Sequence, residues 1–354
     1  MDLTPSPSQA GGAAPAALPI RGADISSLQR AEELGAKYFD ENGCQGDALQ
    51  ILQDHGVNAI RLRVWVNPAN GCHTAARVAA FARRVKSRGL KLLIDLHYSD
   101  TWADPEHQTK PAAWAGHDLS KLQKDVYDHT TDVLRRLSAE EGMPDMVQIG
   151  NEINPGMALP EGSTRNWDNL AALLKQGYQA VKACSSSLQV MLHIANAGDT
   201  SGACKWFDEA SSHGARWDIT GLSYYSYWHG SLADMTTTVK ELILQYGRPV
   251  VIVETAYPFT LLENDAELNA IHSASQLTPG YPATPIGQAD ALRAVVQAAR
   301  LGGASGFFYW EPTWTAVRGN GWDPTNPASG CQWENQALFD FGGKALPAIN
   351  EFKA

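Results

Sequence analysis

The sequence predicts a single closed barrel of eight parallel strands, each followed by a helix: the (β/α)8, or TIM-barrel, fold. Three observations predict it. Apolar runs of strand length recur eight times, helical patterns fill the intervals, and no break in composition divides the 354 residues into two units. A chain of this length can bury its core in one barrel or in two smaller domains, so the unbroken alternation decides the matter.

The eight runs occupy residues 20–25, 59–65, 91–97, 146–152, 189–195, 219–225, 249–255 and 306–310. Residues 75–87, 119–140, 167–184, 232–246 and 287–301 carry apolar side chains at intervals of three and four, the period of a helix buried on one face. Glycine follows a helical pattern and precedes a strand at His55-Gly56-Val57, Arg88-Gly89-Leu90 and Tyr246-Gly247-Arg248-Pro249, which marks short turns at the amino-terminal face. The connections leaving the strands are longer, polar and aromatic, notably 258–285 and 311–343, so a cleft is expected at the carboxyl-terminal face. Residues 1–19, rich in Ala, Pro, Ser and Gly, read as a flexible tail before a catalytic domain spanning 20–354.

The formal net charge is −10 and the 28 Lys and Arg residues are dispersed, which leaves no electrostatic footprint for nucleic acid or anionic lipid. No apolar run approaches the roughly 20 residues that span a bilayer. A soluble monomer is therefore expected. Five cysteines leave at least one unpaired and none lies in a CxxC motif, which disfavours a metal-thiolate site. Cys44, Cys72 and Cys331 fall in loops after predicted strands one, two and eight, neighbours in a closed barrel, so one disulfide among them is open.

Two segments carry the chemistry. Gln148-Ile149-Gly150-Asn151-Glu152 ends predicted strand four and Val251-Ile252-Val253-Glu254-Thr255-Ala256 ends strand seven, about opposite. A glutamate ending a buried parallel strand stands where such barrels do their chemistry. Glu152 and Glu254 together suggest the acid and nucleophile of a glycosidase, which a retaining mechanism holds about 5 Å apart. The alternative for either one alone is a salt bridge at the barrel rim. Flat aromatic side chains accompany them: of eleven Trp and eleven Tyr, Trp65, Trp102, Trp114, Tyr224, Tyr225, Trp228, Trp310, Trp314 and Trp333 lie near the polar ends of strands. Most such residues serve packing, but clustering at strand ends suits the apolar faces of neutral sugar rings.

Alternation along the strands adds further candidates. Arg61, Arg63 and Trp65 share a face of strand two, with Arg63 high enough to hydrogen-bond an ionised Glu254 and hold its pKa down. Arg61 is expected in internal ion pairs. Asp95 and His97 share a face of strand three, although His97 equally suits a core histidine. Asp24 ends strand one, Tyr224 or Tyr225 strand six and Trp310 strand eight. With Asn151, Arg63, His97, Trp102 and Trp228, these form the expected substrate-binding set. In the loop after strand seven, Glu263, Asp265, Glu267 and Asn269 alternate as oxygen donors of the kind calcium uses, although spacing alone favours a solvated acidic loop.

Longer motifs sharpen this outline. Asp40-Glu41-Asn42-Gly43, Ile60-Arg61-Leu62-Arg63-Val64-Trp65, the run from Asp95-Leu96-His97-Tyr98 to Ala103-Asp104-Pro105, and segments 148–156, 222–230 and 334–342 resemble glycoside hydrolase family 53, the arabinogalactan endo-β-1,4-galactanases, over residues 21–352. The resemblance implies a retaining clan A enzyme with Glu152 as acid/base, Glu254 as nucleophile and Asn151 at the sugar 2-hydroxyl. Arg63, His97, Tyr225 (or its neighbour Tyr224) and Trp310 would orient the nucleophile or line the central subsite. The implied partners are β-1,4-galactan, including the side chains of type I pectic galactan, and galacto-oligosaccharides.

The resemblance implies no cofactor for the chemistry. Some bacterial members carry a structural calcium between the seventh and eighth loops, and Glu267 here occupies the place of an expected histidine. No basic start with an apolar stretch heads the sequence, so no signal peptide is read in it. Polysaccharide cleavage nevertheless predicts a secreted, periplasmic or cell-surface enzyme. The rivals are a clan A glycosidase for mannan or cellulose and a noncatalytic carbohydrate-binding barrel. A metal-dependent barrel hydrolase is weaker still, because no His-x-His strand motif occurs.

Overall fold

A computed structural model describes residues 17–353. Eight parallel strands close into a barrel: β1 (Ile20–Asp24), β2 (Ala59–Val64), β3 (Lys91–Leu96), β4 (Met146–Ile149), β5 (Gln189–Ile194), β6 (Ile219–Ser223), β7 (Val250–Thr255) and β8 (Gly306–Trp310). Each pairs with its neighbours in sequence, and β1 closes the ring by pairing with both β2 and β8. The predicted fold is therefore the observed one. Most of the tail, residues 1–16, lies outside the described residues.

The surrounding helices are α1 (Leu28–Glu33), α2 (Ala48–Asp54), α3 (Ala75–Ser87), α4 (Leu119–Ala139), α5 (Trp167–Cys184), α6 (Thr200–Ser212), α7 (Leu232–Tyr246) and α8 (Pro285–Gly302). Polar side chains begin them: Thr74, Asp118, Asp199 and Thr284 each accept an amide of the first turn, and Ser231 with Asp234 forms a reciprocal capping box. The predicted stops hold as well. Gly56, Gly89 and Gly247 have φ of 102°, 72° and 62°, left-handed values that favour glycine after a helix.

The interior is layered. Ile20, Ala59, Leu93, Met146, Met191, Ile219, Val251, Val253 and Phe308 fill the floor of the barrel, and a larger apolar cluster lies between strands and helices. A Cβ at Gly22 would sit 2.1 Å from the Phe308 ring, so the bare backbone there admits the phenylalanine to the floor. Above the floor, strand alternation continues into polar side chains: Arg61 after Ala59, Asp95 after Leu93, Gln148 after Met146 and His193 after Met191.

Strand β7 breaks this alternation. Val251 and Val253 both point into the barrel, yet adjacent Glu254 also reaches the interior, because the register shifts against β6 between Leu222 and Ser223 and against β8 between Ile252 and Thr255. The irregularity re-aims the carboxylate, as bulges beside sites do. Strand β4 likewise stops pairing at Ile149, earlier than predicted, so Asn151 and Glu152 lie in the turn that follows. All five cysteines are free, and the disulfide entertained among Cys44, Cys72 and Cys331 is not formed. Among the described residues no helix is long and apolar enough to cross a membrane.

Candidate active site

The polar layer is organised by Arg61, which is 1% exposed. Its Nη1 donates to Asp24 (2.9 Å) and to Glu254 Oε1 (2.7 Å), its Nη2 to Asp95 (2.9 Å) and the Asn151 side-chain oxygen (2.6 Å), and its Nε to Gln148 (3.2 Å). Burial works against the guanidinium charge, but Asp95, Glu254 and Asp24 outweigh it and raise its pKa. The carboxylates thereby acquire the counter-charge without which their burial would be very costly.

This corrects the expected role of Arg63. It does not bond Glu254; it pairs with Glu311 and lies over the Trp102 ring at 4.4 Å. Two residues further along a strand is a rise of roughly 6.6 Å, which carries Arg63 past the level of Glu254 and leaves Arg61 beside it. Glu311, directly after β8, was missed. It is buried with φ of 53°, accepts hydrogen bonds from Ser27, and has its pKa pushed up to about 7 by burial despite Arg63. Its signal was a charged residue next to strand-ending Trp310.

The choice between the two tyrosines is decided by their hydroxyls. Tyr225 donates to Glu254 Oε2 at 2.9 Å, whereas Tyr224 turns away to the Gly230 carbonyl. Glu254 is thus held by Arg61 on one oxygen and Tyr225 on the other. His97 accepts from Trp65 and from the Ala103 amide at Nδ1, which leaves its proton on Nε2 to donate to Asp95 at 2.9 Å. Asn151 donates to the Ala103 carbonyl at 2.7 Å, and Gln108 bonds the Asn151 carbonyl. These contacts brace the turn in which Glu152 takes a left-handed φ of 45°, a conformation costly for a residue with a Cβ.

Glu152 and Glu254 face one cleft of about 480 Å³. Asp24, Arg63, His97, Trp102, Asn151, Tyr225, Trp228 and Trp310 also line it, and Tyr224 does not. Burial raises the Glu152 pKa well above the usual glutamate value, and the charge of Glu254 raises it further. Burial also raises Glu254, but Arg61 pulls it back. Of the pair, Glu152 therefore keeps its proton to the higher pH.

Tryptophans form one wall. Trp102 stacks on Trp322 with centroids 4.8 Å apart, Trp322 on Trp314 at 5.4 Å, and Trp333 meets Trp310 edge-on at 4.7 Å. Trp228, 51% exposed, stands at the open side, whereas Trp65, Trp114 and Trp314 are buried supports.

The acidic loop is occupied differently. Asp265 accepts the amides of Glu267 and Cys331, Glu263 accepts the Asn269 amide and side chain, and Glu267 accepts Gln332. These bonds tie the seventh loop to the eighth directly. Among the described residues no three His, Cys, Asp or Glu side chains gather in this loop.

With this geometry established, the sequence model of glycosyl hydrolase family 53 matches residues 20–352. The chain belongs to that family. An arabinogalactan endo-β-1,4-galactanase of Cellvibrio japonicus is 38% identical over 347 residues, covering 94% of this chain and 90% of that protein. The family 53 catalytic domain of Ignisphaera aggregans superposes with a TM-score of 0.90 at 40% identity, covering 94% of this chain and 95% of that one. One of two solved fungal β-1,4-galactanases gives 0.82 at 32% identity, covering 95% and 99%. The chain thus shares its barrel with these two solved structures over 94% and 95% of its length.

Proposed function

We propose that this family 53 chain is a retaining endo-β-1,4-galactanase acting on galactan, with Glu254 as nucleophile and Glu152 as acid/base. The observation that carries the reading is the pairing of a proton-holding Glu152 with an Arg61-anchored Glu254 in one aromatic-lined cleft. Glu254 attacks the anomeric carbon while Glu152 gives its proton to the departing glycosidic oxygen. Glu152 then takes a proton from the water that releases the sugar from Glu254. The substrate preference rests on the names of the relatives, and the open, tryptophan-lined cleft suits internal cleavage of a neutral chain.

Both proton transfers are carried by carboxyl groups, so the proposed chemistry requires no cofactor, and rates should be unchanged in chelator. A polymeric substrate places the enzyme's work outside the cytoplasm, in secreted, periplasmic or cell-surface form. The direct test is reducing-end release from linear β-1,4-galactan beside β-mannan and carboxymethyl cellulose, with the configuration of the new reducing end followed by proton NMR. Mixed oligosaccharides of β configuration from galactan alone support the reading. Inverted product overturns the mechanism, and exclusive activity on another polymer overturns the substrate. Glu254→Ala should retain the fold and lose at least roughly 10⁴-fold in kcat.

A further inference from the structure

The tryptophan wall is built over a buried ion pair that takes no part in the proposed proton transfers. Its cation is Arg63 on β2, 2% exposed. The guanidinium lies 4.4 Å from the Trp102 ring centroid and 5.7 Å from those of Trp65 and Trp314, inside an aromatic box. Among the described residues, Glu311 is the one carboxylate paired with it. Arg63 Nη2 also donates to His73 Nε2 at 3.2 Å, and burial keeps that ring neutral, so His73 supplies no counter-charge. Glu311 is fixed in turn by the amide (3.2 Å) and the hydroxyl of Ser27, after β1.

Trp102 carries this anchor to the cleft. Its Nε1 donates to the Trp322 carbonyl at 2.9 Å, and the two rings stack with centroids 4.8 Å apart. Both rings line the cleft, whereas Trp65 and Trp314 are buried behind them. Trp322 belongs to the connection 311–343, in which the one helical element is the short turn Glu334–Gln336. With so little regular backbone, its rings depend on tertiary contacts, and one such path runs from Trp322 through Trp102 to Arg63 on β2.

We infer that Arg63 and Glu311 are positioning residues that hold the Trp102 and Trp322 face of the cleft ready for a sugar chain. This rests on the reading of the cleft as a galactan site. Ionised Glu311 keeps the guanidinium inside the box. Without it Arg63 is a buried cation with no counter-charge, and it turns toward the water of the cleft that it already lines, releasing Trp102. The pair bonds neither Glu152 nor Glu254, so it acts on affinity and leaves the chemical step to them.

The test is calorimetric binding of linear β-1,4-galactohexaose in a Glu254→Ala background at pH 8, above the value of about 7 to which burial pushes the Glu311 pKa. Glu311→Gln and Trp322→Ala should each weaken binding about tenfold. With Glu254 restored, Glu311→Gln should raise KM on galactan by a similar factor while kcat changes less than about twofold. In Glu311→Gln/Trp322→Ala the loss should be no greater than in Trp322→Ala alone, because Glu311 acts through that ring. Arg63→Met/Glu311→Gln strands no charge, so it serves where Glu311→Gln unfolds, and its affinity should fall by the same factor. No binding by the Glu254→Ala chain, with no reducing ends released from galactan by the unaltered chain, overturns the galactan reading and this inference with it. Binding that Glu311→Gln and Arg63→Met/Glu311→Gln leave unchanged, or losses that multiply in Glu311→Gln/Trp322→Ala, overturn this inference alone.

Discussion

One arginine side chain governs the charge of the site. Arg61 touches Asp24, Asp95 and Glu254 at once, so Arg61→Ala strands three buried carboxylates, and a loss of roughly 3–5 kcal/mol is expected in urea unfolding together with loss of activity. A gentler change isolates Tyr225. Its hydrogen bond favours ionised Glu254, so Tyr225→Phe should raise the Glu254 pKa. Glu254 must be ionised to attack, and the rate falls as pH drops through its pKa. The acidic limb of the kcat/KM profile should therefore move to higher pH, and an unmoved limb would dismiss the tyrosine as a tuning group.

At the scale of elements, local chemistry and tertiary context divide the work. Helix α7 starts where Ser231 and Asp234 cap each other, just outside the cleft lining. Ser231→Ala should cost about 1 kcal/mol, read as a lower melting temperature with kcat unchanged. Strand β7 is different in kind. The pattern Val251-Ile252-Val253-Glu254 identifies a buried strand, but strict alternation would send Glu254 to the opposite side from Val251 and Val253. Register shifts against β6 and β8 turn it inward, and they arise from pairing between strands distant in sequence.

Across the whole molecule, several buried carboxyls lean the same way. Glu152, Glu254 and Glu311 all have raised pKa values from burial, Glu311 to about 7. Between the unfolded glutamate value near 4.5 and about 7 these carboxyls hold protons in the folded chain that they lose on unfolding, so their contribution to stability falls as pH rises. His73, His129, His193 and His229, whose pKa values burial lowers, contribute in the opposite sense. Glu152→Gln, which cannot ionise, should raise the urea midpoint at pH 7.5 relative to that at pH 5, compared with the unaltered chain.

The barrel, its eight strands, five of its helices, three glycine stops and the placing of Glu152 and Glu254 on one cleft are legible in the amino-acid sequence. These follow from periodicity and from residue types at strand ends, which are local properties of the chain. Which arginine meets Glu254, which tyrosine donates to it, and where Glu311 is buried were decided only by the tertiary structure. The physical reason is height: neighbouring strands bring residues from distant parts of the sequence to one level of the barrel, and a rise of roughly 6.6 Å separates one inward residue from the next. A hydrogen bond spans about 3 Å. Strand identity is therefore legible in the sequence, whereas the partner that stands level with each side chain is set by inter-strand register.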